Sequence, residues 1–240
     1  MIGVVIFSRL NSSRLPGKAL LDMDGRPLLG YLIDRLRYIK NADRVIVATS
    51  DETSDDTLAA FVEQQDGISL YRGCLDDVSG RALGCMRAFD LDVMVRICGD
   101  SPFEIPAMID HMIELREDND AELLTNVQDR TYPSGLSVEV VSRDAYERAY
   151  SQMSEAVDFE HVTHYFYQHP KQFKIVNVVR EDGGDLTHLN LCVDTAQDLK
   201  RASWIAQHLG DNLEHAGLEE LIAATEAWYT EHPEDRGKAT

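Results

Sequence analysis

Between Ser8 and Lys18 the sequence reads Ser-Arg-Leu-Asn-Ser-Ser-Arg-Leu-Pro-Gly-Lys, three cations and three hydroxyl side chains within eleven positions. So many small polar residues with Pro and Gly break regular structure, so the segment is a loop. Such a loop turns backbone N–H groups and short side chains outward, and Arg14 and Lys18, with Arg9 nearby, can supply charge to a polyphosphate. A solvated turn is the competing account of the same residues. The spacing is neither G-x-x-x-x-G-K-[ST] nor G-x-G-x-x-G, which removes the best support for an ATPase or a dinucleotide-dependent dehydrogenase.

Two aspartates could complete a phosphate site. Asp100 stands in Gly99-Asp100-Ser101-Pro102 and Asp194 in Val193-Asp194-Thr195, each directly after an apolar run. Mg2+ is a hard cation that commonly takes one or two protein carboxylates together with phosphate oxygens and water, so the pair suits it if their strands lie close in one sheet. A turn role for Asp100 and a helix N-cap role for Asp194 are the alternatives. His161 and His164 are three apart, whereas the H-E-x-x-H zinc pattern needs four, so a catalytic zinc site is not expected. Asp51, Glu52, Asp55 and Asp56 form an acidic run assigned mainly to helix capping.

The elements that must position these residues follow from periodicity. An apolar run at 4–7 reads as a central strand feeding the cationic loop, and Pro27 opens a helix to about 39. Strands at 44–49, 68–71 and 92–97 alternate with helices at about 54–65, 76–89 and 106–116. This order predicts an α/β fold with a mostly parallel, doubly wound, Rossmann-like sheet that binds ligands at its carboxyl ends. The second half breaks the rhythm. Strands at 136–141, 173–179 and 189–193, with helices at 144–150, 160–168 and 196–209, predict a small mixed subdomain. A last helix runs from about 214 to 230, before a polar tail containing Pro233. No linker divides the chain, so one domain over 1–240 is expected.

Composition narrows the function classes. The 240 residues are 44% hydrophobic and 27% charged, an ordinary globular balance, and no apolar run approaches the ~18 residues of a membrane helix. Without a recognisable secretory signal at its start, the chain is expected to be cytoplasmic. A net charge of -19 argues against nucleic acid as a partner. Residues 1–50 nevertheless hold eight Lys/Arg against four Asp, a local basic focus suited to a compact polyanion. Cys74, Cys85, Cys98 and Cys192 lack zinc spacing and read as mostly buried thiols without disulfides.

The segment S-R-L-N-S-S-R-L-P-G-K-A-L-L-D-M-D-G-R-P-L-L (8–29) resembles the opening signature of the cytidylyltransferases that activate acidic sugars. That group includes CMP-Kdo synthetase, CMP-acylneuraminate synthetase and the spore-coat polysaccharide biosynthesis protein F type. Further matches follow in the family's order: V-I-V-A-T-S-D (45–51), Y-R-G-C-L-D-D-V (71–78), V-R-I-C-G-D-S-P (95–102), T-Y-P-S-G-L-S-V-E-V (131–140), E-H-V-T-H-Y (160–165) and V-D-T-A-Q-D-L (193–199). Ser8 and Asn11 depart from the usual Ala and Gly, and Asn is expected to take the left-handed turn that a glycine would.

The resemblance implies a nucleotide-diphospho-sugar transferase-like fold and transfer of CMP from CTP to an acidic sugar, with release of pyrophosphate, in cell-surface polysaccharide biosynthesis. Mg2+ on Asp100 and Asp194 is implied, with Arg14, Lys18 and Asp100 as the catalytic groups. Ser8, Arg9, Asn11, Ser13, Arg14, Lys18, Arg72 and Asp77 would bind the nucleotide. Tyr132, Gly135, Glu139, Glu160, His161 and Thr163 would border the acceptor sugar. Relatives pair through the region at about 130–175, so a homodimer is expected, and Tyr132, Tyr146, Tyr150, Phe159, Tyr165, Phe166 and Tyr167 cluster there. A glycosyltransferase using Asp90-Leu91-Asp92, and a nucleotide-binding module without turnover, are the other readings.

Overall fold

The computed structural model describes residues 1–236. Strand β1 (Ile2–Phe7) sends Val4 and Ile6 into one apolar cluster and Val5 into another. A strand apolar on both faces must be covered on both, the hallmark of a central parallel strand. Parallel to it on one side lies β2 (Arg44–Ser50), then β3 (Ile68–Gly73); on the other side lies β4 (Val93–Cys98), also parallel. With β5 (Leu123–Thr125), β6 (Glu139–Ser142) and β7 (Ile175–Asn177), the sheet order is β3-β2-β1-β4-β6-β5-β7. Strand β6 runs antiparallel to both β4 and β5, which makes the second half mixed, while β7 is parallel to β5.

Helices α1 (Leu28–Leu36), α2 (Asp56–Glu63) and α4 (Pro106–Asp118) cover the Val4 face. The Val5 face is covered by α3 (Val78–Ala88), α5 (Arg143–Tyr150) and α7 (His164–Gln168). The short α6 (Ala156–Glu160) leads into α7. Finally α8 (Ala196–Leu209) and α9 (Leu218–Glu231) close over Met23, Phe103, Leu136, Leu191 and Val193 in a third cluster. Among the described residues no helix is long and apolar enough to cross a membrane.

Several local expectations need correction. Residues 189–193 do not join the sheet: they make one isolated bridge, Ser134 to Asn190, and lie against the loop that begins at Pro133. Strand β5 was not anticipated, because three residues are too few for alternation to register. The helix expected over 160–168 is broken at His161, whose extended backbone separates α6 from α7. Tyr146, Tyr165 and Phe166 are buried in the Val5-face core, so this part of the aromatic cluster is internal packing. Only Cys85 is fully buried; Cys98 and Cys192 are half-buried, Cys74 is exposed, and all four thiols are free. Pro233–Asp235 form a short turn of 3-10 helix, and the end of the polar tail, 237–240, lies outside the described residues.

Candidate active site

The chain leaves β1 toward β2 and β3, then returns on the opposite side as β4. The loops after β1 and β4 therefore diverge, and this switch point is where a doubly wound sheet opens a crevice. A cavity of about 600 Å3 lies there. Ser8, Arg9, Asn11, Ser13, Arg14 and Lys18 line it from the first loop, Arg96, Gly99 and Asp100 from β4 and its exit, and Glu160, His161 and Asp194 from later segments. Gly99 is required by close approach: a Cβ there would sit 2.7 Å from the Ser8 Cβ and 2.9 Å from the Phe7 carbonyl oxygen.

The cationic loop is built by its own backbone and one buried carboxylate. Gly17, at φ 73°, takes the left-handed turn, and its N–H donates to the Leu10 carbonyl at 2.9 Å. Asn11 does not adopt positive φ, so the glycine it replaces is not needed for the turn. Leu10 N–H donates to Asp55 Oδ1 at 2.7 Å, while Thr49 Oγ1 (3.0 Å), Ser50 N–H (3.2 Å) and the Ser50 hydroxyl donate to Asp55 Oδ2. Burial alone would raise this carboxyl, yet the donors from Ser50, Leu10 and Thr49 hold it below the ordinary carboxylate range. Asp55 sits at the N-terminus of α2 but makes no cap, so its task is to pin the loop to the end of β2.

At the cavity floor the two distant aspartates meet. Lys18 Nζ donates to Asp100 Oδ2 at 2.7 Å, to Asp194 Oδ1 at 2.8 Å and to the Val193 carbonyl at 3.1 Å. Arg14 Nη2 lies 3.0 Å from Asp194 Oδ1. Burial disfavours the Lys18 ammonium, but Asp100 and Asp194 outweigh it and hold its pKa above the usual lysine value. Sheet adjacency is not what joins the aspartates. Val193 N–H donates to the Asp100 carbonyl at 2.9 Å, tying the two loops directly. Thr195 and Asp198 form the capping box of α8, which leaves the Asp194 side chain free of capping.

Donor atoms of Asp100, Asp194 and Cys192 all lie within 4.8 Å of one another. Two carboxylates beside the Val193 carbonyl are a hard-oxygen set of the kind a divalent cation takes. Cys192 adds a softer donor that its spacing from other cysteines did not flag.

Other expected residues are placed elsewhere. Arg72 is held outside the cavity by the Ser50 and Glu52 carbonyls and by Asp56 at 2.7 Å. Asp77 caps α3 through Gly80 N–H and accepts from the Tyr150 hydroxyl. Tyr132 lines a second cavity, of about 610 Å3, with His111, Asn177 and Arg180. Thr163 is buried. Gly135, at φ 90°, packs so tightly that a Cβ would lie 2.5 Å from the Leu191 carbonyl carbon. Glu139 is 1% exposed and holds Arg96 Nη1 at 2.7 Å. Arg96 itself, which lines the cavity, was given no role; it lies within the V-R-I-C-G-D-S-P match, near the carboxyl end of the strand that leads to Asp100, and that was the available signal. Asp90 and Asp92 pair with Arg143, and Asp92 also with the N-terminus, at the opposite end of the sheet.

A doubly wound sheet with a cationic loop and converging carboxylates at its switch point has the form of an α/β protein built to hold a phosphate ligand. Comparison with known proteins makes this specific: residues 3–213 match the family model described as cytidylyltransferase, and the chain belongs to that family. It is 31% identical, over 86% of its length and 87% of the relative's, to the spore coat polysaccharide biosynthesis protein SpsF of Bacillus subtilis. It is 40% identical to a 3-deoxy-manno-octulosonate cytidylyltransferase of Aeromonas salmonicida over 44% of this chain and 42% of that one. A cytidylyltransferase structure from Leptospira borgpetersenii superposes with a TM-score of 0.89, covering 100% of this chain and 98% of that chain at 26% identity.

Proposed function

We propose that the protein transfers CMP from CTP to a hydroxyl of an acidic sugar, releasing pyrophosphate, in the cytoplasmic stage of cell-surface polysaccharide synthesis. A sugar oxygen bonds to the α-phosphorus, the bond from that phosphorus to the β-phosphate oxygen breaks, and the hydroxyl proton is lost. Such chemistry asks the protein for positioning and charge neutralisation and needs no covalent enzyme intermediate. The observation that carries this reading is the convergence of Lys18, Arg14, Asp100 and Asp194 at the sheet's switch point.

In this reading the first loop wraps the triphosphate with its N–H groups and serine hydroxyls. Arg14 and Lys18 neutralise its charge, with Arg9 beside them. Asp100 and Asp194 would hold Mg2+, which supplies Lewis-acid stabilisation of charge on the departing pyrophosphate. Glu160 and His161, on the facing wall, orient the acceptor. The SpsF relative's name supports the pathway, and the octulosonate relative's name supports an acidic acceptor.

The decisive assay offers CTP, UTP, ATP and GTP with Mg2+ and a panel of 2-keto sugar acids, and follows pyrophosphate. Release with CTP plus an acid is expected; CTP binding without release under any acceptor would favour a binding module. Two copies are proposed to pair through 130–175, where Val157 is an exposed large apolar side chain. Sedimentation at twice the chain mass would bear this out.

A further inference from the structure

An acidic acceptor needs a cation that the triphosphate does not consume. Arg9, Arg14 and Lys18 all come from the loop after β1, and their partners are Glu160, Asp194 and Asp100. Arg96 enters the same cavity from a different element, β4. In register it stands opposite Val5 on one side and Glu139 on the other. Two residues along each strand, earlier on β4 and later on the antiparallel β6, the paired Met94 and Val141 belong to the core beneath α3, α5 and α7. Strand alternation therefore puts the Arg96 side chain on the face that carries the Glu160 and His161 wall.

Its hydrogen bonding is incomplete. Among the described residues, Nη1 donates to Glu139 Oε2 at 2.7 Å, whereas Nε is buried with no partner and Nη2 makes no hydrogen bond. Glu139 is fully engaged behind it, because its other oxygen accepts from the Tyr167 hydroxyl, which meets Thr125 Oγ1 at 2.8 Å. A guanidinium fixed from behind by a buried carboxylate, with Nη2 left free on a residue that lines the cavity, is placed to give an anion a charge-assisted donor. Unsatisfied donors of this kind in a native fold call for a partner.

Resting on the transfer reaction above, we propose that Arg96 binds the carboxylate of the acceptor sugar and so sets its preference for acids. Glu139 is then a positioning residue that acts through Arg96 and does not touch the sugar. Lysine would not substitute, since a point charge lacks the planar fork.

Removing Arg96 alone leaves Glu139 buried and unpaired, so the test pairs Arg96→Gln with Glu139→Gln. Titration calorimetry is run on protein holding Mg2+ and a non-transferable α,β-methylene analogue of CTP. The probes are 3-deoxy-manno-octulosonate and N-acetylneuraminate, each beside its methyl ester. Wild-type protein is expected to bind an acid about tenfold or more tightly than its ester. The double variant is expected to bind acid and ester alike while keeping its affinity for the nucleotide analogue, and Arg96→Lys to lose most of the preference. A double variant that keeps the preference overturns the proposal, as does a wild type that binds the analogue but shows no preference or takes neither acid. Wild-type protein that fails to bind the analogue overturns the transfer reaction, and this proposal with it.

Discussion

At the scale of single residues, Lys18 carries the most chemistry, because one ammonium answers two aspartates and a carbonyl contributed by segments more than eighty positions away. Its charge is worth more here than on an open surface, since only 14% of its side chain is exposed. On the proposed reading, Lys18→Met should weaken CTP binding about 10- to 100-fold, read by calorimetry, because the charge-assisted contact Lys18 would make to phosphate is lost. Asp100→Ala should lower metal-dependent pyrophosphate release about 100-fold or more. Its side chain is 24% exposed, so the melting temperature should move little. A variant with full turnover would remove Asp100 from the mechanism.

Elements decide whether those side chains meet. The cationic loop is not rigid by composition; Asp55 makes it so by accepting from Leu10 on one side and from Thr49 and Ser50 on the other. Asp55→Ala should cost about 3 kcal/mol, through several buried donors left unpaired. It should also raise the CTP dissociation constant, whereas Thr49→Val should lower stability alone. The folded carboxyl titrates below its ordinary 3.8, so its stabilisation is complete above that pH and is lost as pH falls through the depressed value. In urea titrations the gap between wild type and Asp55→Asn should therefore stay constant from pH 7 to about 4 and close below it. Gly135→Ala places a Cβ against the Leu191 backbone at a positive φ, so it should both destabilise the chain and displace Asp194.

At the scale of the whole molecule, the site joins the halves of the fold. The first loop belongs to β1, Asp100 to β4, and Asp194 to the segment entering α8, so a ligand that bridges them stabilises the entire chain. CTP with Mg2+ at about 100 times its dissociation constant should add about 2.7 kcal/mol, a rise of about 5–10 °C in melting temperature for a chain this size. Chelating the metal should erase most of that rise. Arg35 works at the same scale: 1% exposed, it donates to the carbonyls of Glu104, Leu213 and Ala216 and so fastens α1 to the segment between α8 and α9.

The sequence by itself determined the alternation of strand and helix through β4, because apolar runs and breaker residues act over a few positions. It also determined the cationic loop, whose residue types leave no other local structure. Both aspartates were legible as carboxylates after apolar runs. Their meeting was not: it depends on a Val193 to Asp100 backbone hydrogen bond between loops, where a sheet strand over 189–193 was expected. Asp55 read as a cap because its neighbours are acidic and a helix follows, yet its partner is Leu10, forty-five positions earlier. Arg96 and Glu139 lie in separate matched segments, Glu139 expected beside the acceptor and Arg96 given no role, and they become a pair only when β6 lies antiparallel beside β4. Local propensity is written in short windows, whereas charge pairing across strands and loops exists only once long-range packing has chosen which segments touch.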